Sequence, residues 1–347
     1  MKITILAEDP QPNYFRPLVT LHERGEIQEI EFMGLRDVLQ KRTFSKPQPD
    51  EIIVCGCSPY HPILYGLAKA ILCGSPTVIS TSWPYSDPSL AVHRWKWPGF
   101  TGIPLPDLPV RKSLWRWCVQ ETTAVGITEA ARCALEKFNP SAVWIPHAVD
   151  IDQYIPTDEP SGPFRLLYLG RLVPEKGISR LIQLAERWKE KAKSHRLIVA
   201  GSGPLRKEII TARDSGLSIH YLGKVCNPWK LFPKVNALIL PSQRVTTERN
   251  GKQPWEELFG IVLLESMACG RPVISVDHFG PREIISHGED GFILEEDDLE
   301  GMENAVDELA ENARLRRAMG MNGRAKVEKT FNLKEVSHQW KKLLRNL

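Results

Sequence analysis

Short runs of aliphatic and β-branched residues alternate with longer stretches of helical period along almost the whole chain, and this alternation is its strongest constraint on fold. Strand-type runs in the first half are Ile3–Ala7, Gln28–Phe32, Glu51–Cys55, Thr77–Ser80, Ala124–Thr128 and Ala142–Ile145, with helical patterns such as Ile63–Cys73 and Glu129–Phe138 between them. The second half repeats the rhythm as RLLYLG, RLIVAG, IHYLGK, ALILPS, PVISV and GFILE, each followed by a helical stretch. Strands separated by helices join through crossovers rather than hairpins, which makes the sheets parallel and covers their faces with helices. At 347 residues the chain is long enough for two cores. The Pro-, Asp-, Ser- and Gly-rich segment DIDQYIPTDEPSGPFR, near residues 150–165, reads as the linker between them. The expected fold is therefore α/β, with two doubly wound domains facing across a cleft. Ligands should meet the loops at the carboxyl ends of the strands.

Forty-five basic and 42 acidic side chains leave a net charge of +3, too balanced for a dedicated nucleic-acid binder, so no nucleic-acid partner is expected. No apolar run approaches the roughly 18 residues of a membrane span, and MKITILAEDPQ turns acidic too soon for a signal-peptide core. Seven irregularly spaced cysteines argue for a reducing compartment. A cytoplasmic chain is expected. Residues 283–311 carry twelve acidic and no Lys or Arg side chains, and residues 312–347 ten basic and two acidic, read as a solvated helix pair matched to the helix dipole. Residues 93–118 interleave tryptophans with Arg94, Lys96, Arg111, Lys112 and Arg116. They read as a surface for an anionic membrane, peripheral on the inner face of the cell membrane. The alternatives are tryptophans packed in the N-terminal domain or lining a carbohydrate-binding surface.

Three strand-following loops hold residues suited to chemistry. After RLLYLG comes Gly170-Arg171-Leu172-Val173-Pro174-Glu175-Lys176-Gly177, whose two cations flank a helix N-terminus where a phosphate could sit, or which is a charged surface loop. After the next strand, Gly201-Ser202-Gly203-Pro204 makes a glycine-rich turn, a weak nucleotide signal by itself. The segment Trp255-Glu256-Glu257-Leu258-Phe259-Gly260-Ile261-Val262-Leu263-Leu264-Glu265 places two carboxylates, Glu257 and Glu265, on either side of a glycine that starts an apolar helix. A carboxylate in such a helix must face a polar pocket or a cation, and it can accept hydrogen bonds from the vicinal hydroxyls of a ribose. The loop Phe279-Gly280-Pro281-Arg282-Glu283 could add amides to the same place.

GRLVPEKG, AGSGP, LGKV, ALILPS, EELFGIVLLESMACGRPVIS and GPREIISHGEDGFIL, in this order and spacing, resemble the family 4 retaining glycosyltransferases of the GT-B fold over residues 140–335. The resemblance implies two Rossmann-like domains: residues 1–155 for the acceptor, 156–328 for a nucleotide-sugar, and 329–347 as a helix returning to the first. It implies that Arg171 and Lys176 hold the diphosphate of the donor, that Glu257 contacts the transferred sugar, and that Glu265 contacts the ribose. Glu257, Arg171 and Lys176 would form the catalytic set. Gly170, Gly201, Gly203, Lys224, Val225, Phe259, Gly260, Ile261 and Val262 would complete the donor site, the segments at Gly201–Gly203 and Lys224–Val225 bordering the base. The activity implied is metal-independent transfer of a hexose from a UDP- or GDP-sugar to a glycan or lipid-linked acceptor, with no cofactor. The Asp150-x-Asp152 motif falls in the family's linker phrase rather than in a metal site.

The N-terminal half departs from the family pattern. The loop after the first strand, Ala7-Glu8-Asp9-Pro10-Gln11-Pro12-Asn13-Tyr14, lacks the usual glycine pair, and Ser80-Thr81-Ser82-Trp83-Pro84 lacks the usual histidine. His61 and Trp83 are the substitute candidates for the contact to donor or acceptor. The polar stretch Gln243–Pro254 reads as a flap over the donor. Two rival functions stand beside transfer: a sugar-nucleotide epimerase or hydrolase on the same fold, and a non-catalytic scaffold.

Overall fold

The computed structural model describes residues 1–7, 12–34, 37, 51–57, 63–82, 84, 109–245 and 255–347. Within them the chain builds two parallel six-stranded sheets with surrounding helices. One compact unit comprises Met1–Ala148 with Leu333–Leu347, the other Val149–Val245 with Trp255–Asn332.

In the first unit the strands are β1 (Lys2–Ala7), β2 (Glu29–Met33), β3 (Glu51–Gly56), β4 (Thr77–Thr81), β5 (Thr123–Gly126) and β6 (Val143–Trp144). They lie in the order β2-β1-β3-β4-β5-β6. Period-two alternation sends Ile3 and Ile5 of β1 and Val54 of β3 into one core with Phe15 and Leu18. Leu6, Ile53 and Cys55 go into another with Leu67, Trp115 and Val119. Both faces are thus apolar, as a parallel sheet buried on both sides requires. The amphipathic helix Leu333–Arg345 seats Val336, Trp340 and Leu344 in the first of these cores and packs against helix Arg16–Glu23.

The tryptophan-rich segment is corrected in part. Trp115, on helix Pro109–Glu121, is 2% exposed and so belongs to the core rather than to a docking surface, and Trp117 is half-buried against the same core. Burying these large indoles outweighs any gain from presenting them to solvent. Arg116 lies over the Phe138 ring at 5.4 Å. Trp83, His61 and residues 93–108 lie outside the described residues, as do most of Gln243–Pro254 and Glu8–Gln11.

The second unit holds β7 (Arg165–Leu169), β8 (Arg196–Ala200), β9 (Ile219–Gly223), β10 (Ala237–Leu240), β11 (Val273–Val276) and β12 (Gly291–Leu294), in the order β12-β11-β10-β7-β8-β9. Counted from its own first strand this is 3-2-1-4-5-6 read from one edge, the Rossmann order. Winding reverses between β7 and β10, which pair directly through Ala237 with Leu166 and Leu238 with Leu167. The core joins Leu166, Tyr168, Leu197, Val199, Ile239 and Ile274 of the sheet to Ile178, Leu181 and Trp188 of helix Ile178–Glu190. The acidic and basic blocks become consecutive helices, Leu299–Glu311 capped by Asp298 and Ala313–Thr330 capped by Asn312. They are less solvated than their charge suggests: Glu303 is fully buried, held by Arg187 at 3.0 Å and Lys191 at 2.8 Å. No helix among the described residues is long and apolar enough to cross a membrane.

Candidate functional site

At the point where the second sheet reverses its winding, the loops after β7 and β10 come together. The first runs from Gly170 through the short turn Pro174–Lys176 to Gly177, which begins helix Ile178–Glu190. Gly177 has φ +69°, and a Cβ there would stand 1.8 Å from the carbonyl oxygen of Pro241. Only glycine lets the two loops approach so closely. Gln243 secures the approach by donating its amide to the Glu175 carbonyl at 3.0 Å.

Lys176 is thereby aimed across the contact. Its ammonium pairs with the carboxylate of Glu257 and lies 4.8 Å from the centre of the Trp255 ring. Glu257, 7% exposed, also accepts a hydrogen bond from the Ser242 hydroxyl at 3.1 Å. A buried carboxylate demands such partners. Arg171 is placed differently from Lys176: its side chain is 66% exposed, 3.8 Å from Glu175, while its carbonyl accepts the Tyr168 hydroxyl at 2.6 Å. The two cations of this loop therefore do not share one partner.

Phe259 is buried, and Gly260, at φ +86°, turns the chain into helix Ile261–Ala268. Ile261 and Val262 occupy the first turn of that helix, half-buried. Glu265 follows one turn on, and the Tyr154 hydroxyl donates to it at 2.5 Å. Burial pushes the Glu265 carboxyl up to about 7, while the Tyr154 hydrogen bond pulls it the other way. Tyr154 itself packs edge-on against Trp229 and at a tilt against Phe232.

The glycine-rich turn after β8 packs backbone to backbone on the first loop. Gly170 donates to the Ala200 carbonyl at 3.0 Å, and Leu172 to that of Ser202 at 2.9 Å. Gly201 donates to the Gly223 carbonyl at 2.7 Å, which brings the turn beside Lys224 and Val225 at the end of β9. Lys224 is exposed and Val225 half-buried. All these loops leave the carboxyl ends of parallel strands, so the second unit gathers Lys176, Glu257, Glu265 and the glycine-rich turns at one end of its sheet.

Behind that edge lies a layer that sequence reasoning did not single out. His278 is fully buried and accepts the Glu257 amide on Nδ1 at 3.1 Å, and its Nε2 faces Glu296 Oε2 at 3.1 Å. Burial lowers the imidazole's proton affinity. Burial alone would push the Glu296 carboxyl up, but hydrogen bonds from His278 and the Arg244 amide, with the charge of Arg180, outweigh it and hold it below the usual range. Tyr154 could have been suspected as a lone aromatic inside a polar linker; His278, Ser242 and Glu296 carried no signal of spacing. Asp150 and Asp152 form a local turn, the Asp152 amide donating to Asp150 Oδ1 at 3.0 Å. Among the described residues, no group of three or more His, Cys, Asp or Glu is arranged to hold a metal ion.

The model of the family "Glycosyl transferases group 1" matches residues 153–326, and the chain belongs to that family. CapM of Staphylococcus aureus, named a capsular polysaccharide biosynthesis glycosyltransferase, is 29% identical over 176 residues, 49% of this chain and 42% of that protein. A Mycolicibacterium smegmatis protein, named a GDP-mannose-dependent alpha-(1-6)-phosphatidylinositol monomannoside mannosyltransferase, is 29% identical over 200 residues, 54% of this chain and 52% of that one. The chain thus spans about half the length of the curated relatives it matches. Among solved structures, HepE of Anabaena in complex with UDP has a TM-score of 0.70 at 16% identity, with 100% of both chains covered. The shared architecture is the GT-B fold.

Proposed function

We propose that this group 1 glycosyl transferase moves a hexose, with retention of anomeric configuration, from a nucleoside-diphosphate sugar to a glycan or lipid-linked acceptor. The observation that carries the reading is the meeting of Lys176 and Glu257 at the switch point of the second sheet, with Glu265 one helix turn beyond. Ligands of doubly wound sheets bind at that point.

When the glycosidic bond breaks, negative charge grows on the departing diphosphate. Lys176, Arg171 and the start of helix Ile178–Glu190 present positive charge there without metal. A preorganised, buried donor of this kind contributes on the order of 3–4 kcal/mol to the transition state, and the exposed Arg171 less. Glu257, anchored by Ser242 and Lys176, accepts hydrogen bonds from hydroxyls of the transferred sugar. Glu265, oriented by Tyr154, accepts those of the ribose, while backbone at Gly201–Gly203 and Lys224–Val225 borders the base. Lys176 also serves Glu257 before the donor arrives, offsetting the cost of a buried carboxylate. That HepE was solved with UDP and that the mycobacterial relative is named for GDP-mannose supports a search over both nucleotides.

Thermal shift with UDP, GDP, ADP and CMP tests the reading, followed by UDP-glucose and GDP-mannose. A nucleotide at about 100 times its Kd should stabilise the fold by roughly 2.7 kcal/mol. The response should vanish in Glu265→Ala. No response to any nucleotide would sink the proposal.

A further inference from the structure

We propose that His278 is the positioning residue for Glu257, and that Glu296 holds it in the required tautomer. The inference starts from which atoms can donate. A backbone N–H can only donate, so the Glu257 amide, 3.1 Å from Nδ1, requires that nitrogen to be an unprotonated acceptor. The one remaining ring proton then sits on Nε2, facing Glu296 Oε2 at 3.1 Å. His278 thus works as a neutral two-ended strut from the segment after β11 to the turn that carries the candidate sugar-binding carboxylate.

The strut is braced at both ends. At the far end, Glu296 accepts the Arg244 amide at 2.7 Å, the Arg244 guanidinium at 3.2 Å and Arg180 at 3.4 Å. Arg244 reaches on to Glu256 at 3.0 Å. At the near end, the Gly280 amide donates to the Glu257 carbonyl at 3.1 Å. A Cβ on Gly280 would lie 2.3 Å from the Cα of Phe259, so the two turns touch through backbone. The Glu256 side chain, through Arg244, and the Glu257 amide, through His278, both lead back to Glu296, while the Glu257 carbonyl is held by Gly280. His278 has no place on the exposed edge. Its geometry is that of a group acting through Glu257, since misplacing a reacting group by about 1 Å can cost on the order of 100-fold in rate.

The catalytic half of this inference rests on Glu257 being the sugar contact; the structural half does not. Hydrogen exchange of the full chain, read by mass spectrometry on the fragment containing Glu257, tests the structural half without ligand. Asparagine can place an acceptor where Nδ1 stands, whereas glutamine places its amide nearer Nε2. His278→Gln should therefore speed exchange of that fragment about tenfold, His278→Asn should stay close to wild type, and Glu296→Ala should fall between, following the loss of one hydrogen bond. The Glu296 side chain is 15% exposed, whereas that of His278 is fully buried, so its variant still informs if a His278 variant fails to fold. Unchanged exchange in both His278→Gln and Glu296→Ala overturns the proposal.

Turnover of UDP-glucose or GDP-mannose, whichever the protein uses, tests the other half. His278→Gln should lower kcat about tenfold or more with KM nearly unchanged, and His278→Asn should restore most of it. Faster exchange with wild-type kcat, while Glu257→Ala is inactive, would overturn the positioning role alone. Full turnover by Glu257→Ala would overturn the reading of Glu257 and the catalytic half with it, leaving the exchange result to decide the strut.

Discussion

The two sheets have the same number of strands and the same parallel construction, yet they bury different chemistry. Among the described residues, the buried polar side chains of the first unit are all hydroxyls: Thr4, Thr20, Thr77, Ser80, Thr81, Thr122, Thr128 and Ser337. The second unit buries Glu256, Glu257, Arg271, His278, Asp290, Glu303 and Arg316 as well. A hydroxyl can satisfy itself on a nearby carbonyl, as Thr122 does on Cys118 at 2.8 Å. A buried charge costs several kcal/mol unless an opposite charge or several hydrogen bonds meet it. That the second unit sustains so many marks it as the one whose interior is organised around ions. Not all of them are functional: Arg316 with Glu159, at 2.7 Å, and Glu303 with Arg187 and Lys191 brace helices away from the loop edge. Strand pattern alone does not say which unit does chemistry, while the company kept by its buried charges does.

The contrast can be broken most directly at Glu257. Glu257→Ala should lower transfer by at least about 100-fold while the cooperative melt persists; wild-type turnover in a quenched assay would remove the site from the second unit. Next come the two cations of the first loop. Lys176→Ala should cost on the order of 100-fold in kcat/KM, and Arg171→Ala, whose side chain is 66% exposed, about tenfold. Equal losses in steady-state kinetics would show that the exposed arginine swings fully onto the donor.

Tyr154→Phe probes the Glu265 carboxylate. It removes one hydrogen bond to a carboxylate, so nucleotide affinity should drop about tenfold by calorimetry. The pH dependence has a definite sign. The Glu265 carboxyl is raised from 4.5 to about 7 in the fold, so its contribution to stability is complete below 4.5 and is lost as pH rises through 7. Nucleotide binding, which uses the ionised form, should strengthen over the same interval. Because Tyr154 favours that form, Tyr154→Phe should move the binding midpoint upward, and a midpoint that stays or falls would contradict the role of Glu265. The smallest effect is expected in the first unit. Thr122→Val should cost about 1 kcal/mol of stability by denaturant titration and leave the nucleotide-induced thermal shift unchanged.

Much of the fold was legible from local pattern. All twelve described strands fall on runs that the hydrophobic period marks, because a strand buried on both faces must be apolar along its length. Glu265 stood out as a charge inside an apolar helix, and Glu257 as a carboxylate just before the glycine that starts that helix. The basic, tryptophan-rich segment was read less well. Alternating Trp and Arg looks like a surface, but on helix Pro109–Glu121 the 3.6-residue period turns Trp115 inward and leaves Arg116 over Phe138.

Local pattern marks which segments become strands, that the sheets are parallel, and which loops could carry chemistry. These follow from properties of neighbouring residues: apolar period, turn-forming glycines and a charge amid leucines. Only the tertiary structure decided that β7 lies beside β10, and so that Lys176 meets Glu257, 81 positions further along. It likewise decided that Tyr154 meets Glu265 and that Glu296 reaches Glu257 through His278. Such pairings depend on the order in which crossovers lay strands down and on which buried polar groups then find one another. No local period encodes that, because the partners share no segment of chain, and the cost of leaving any of them unpaired arises only once packing has excluded water.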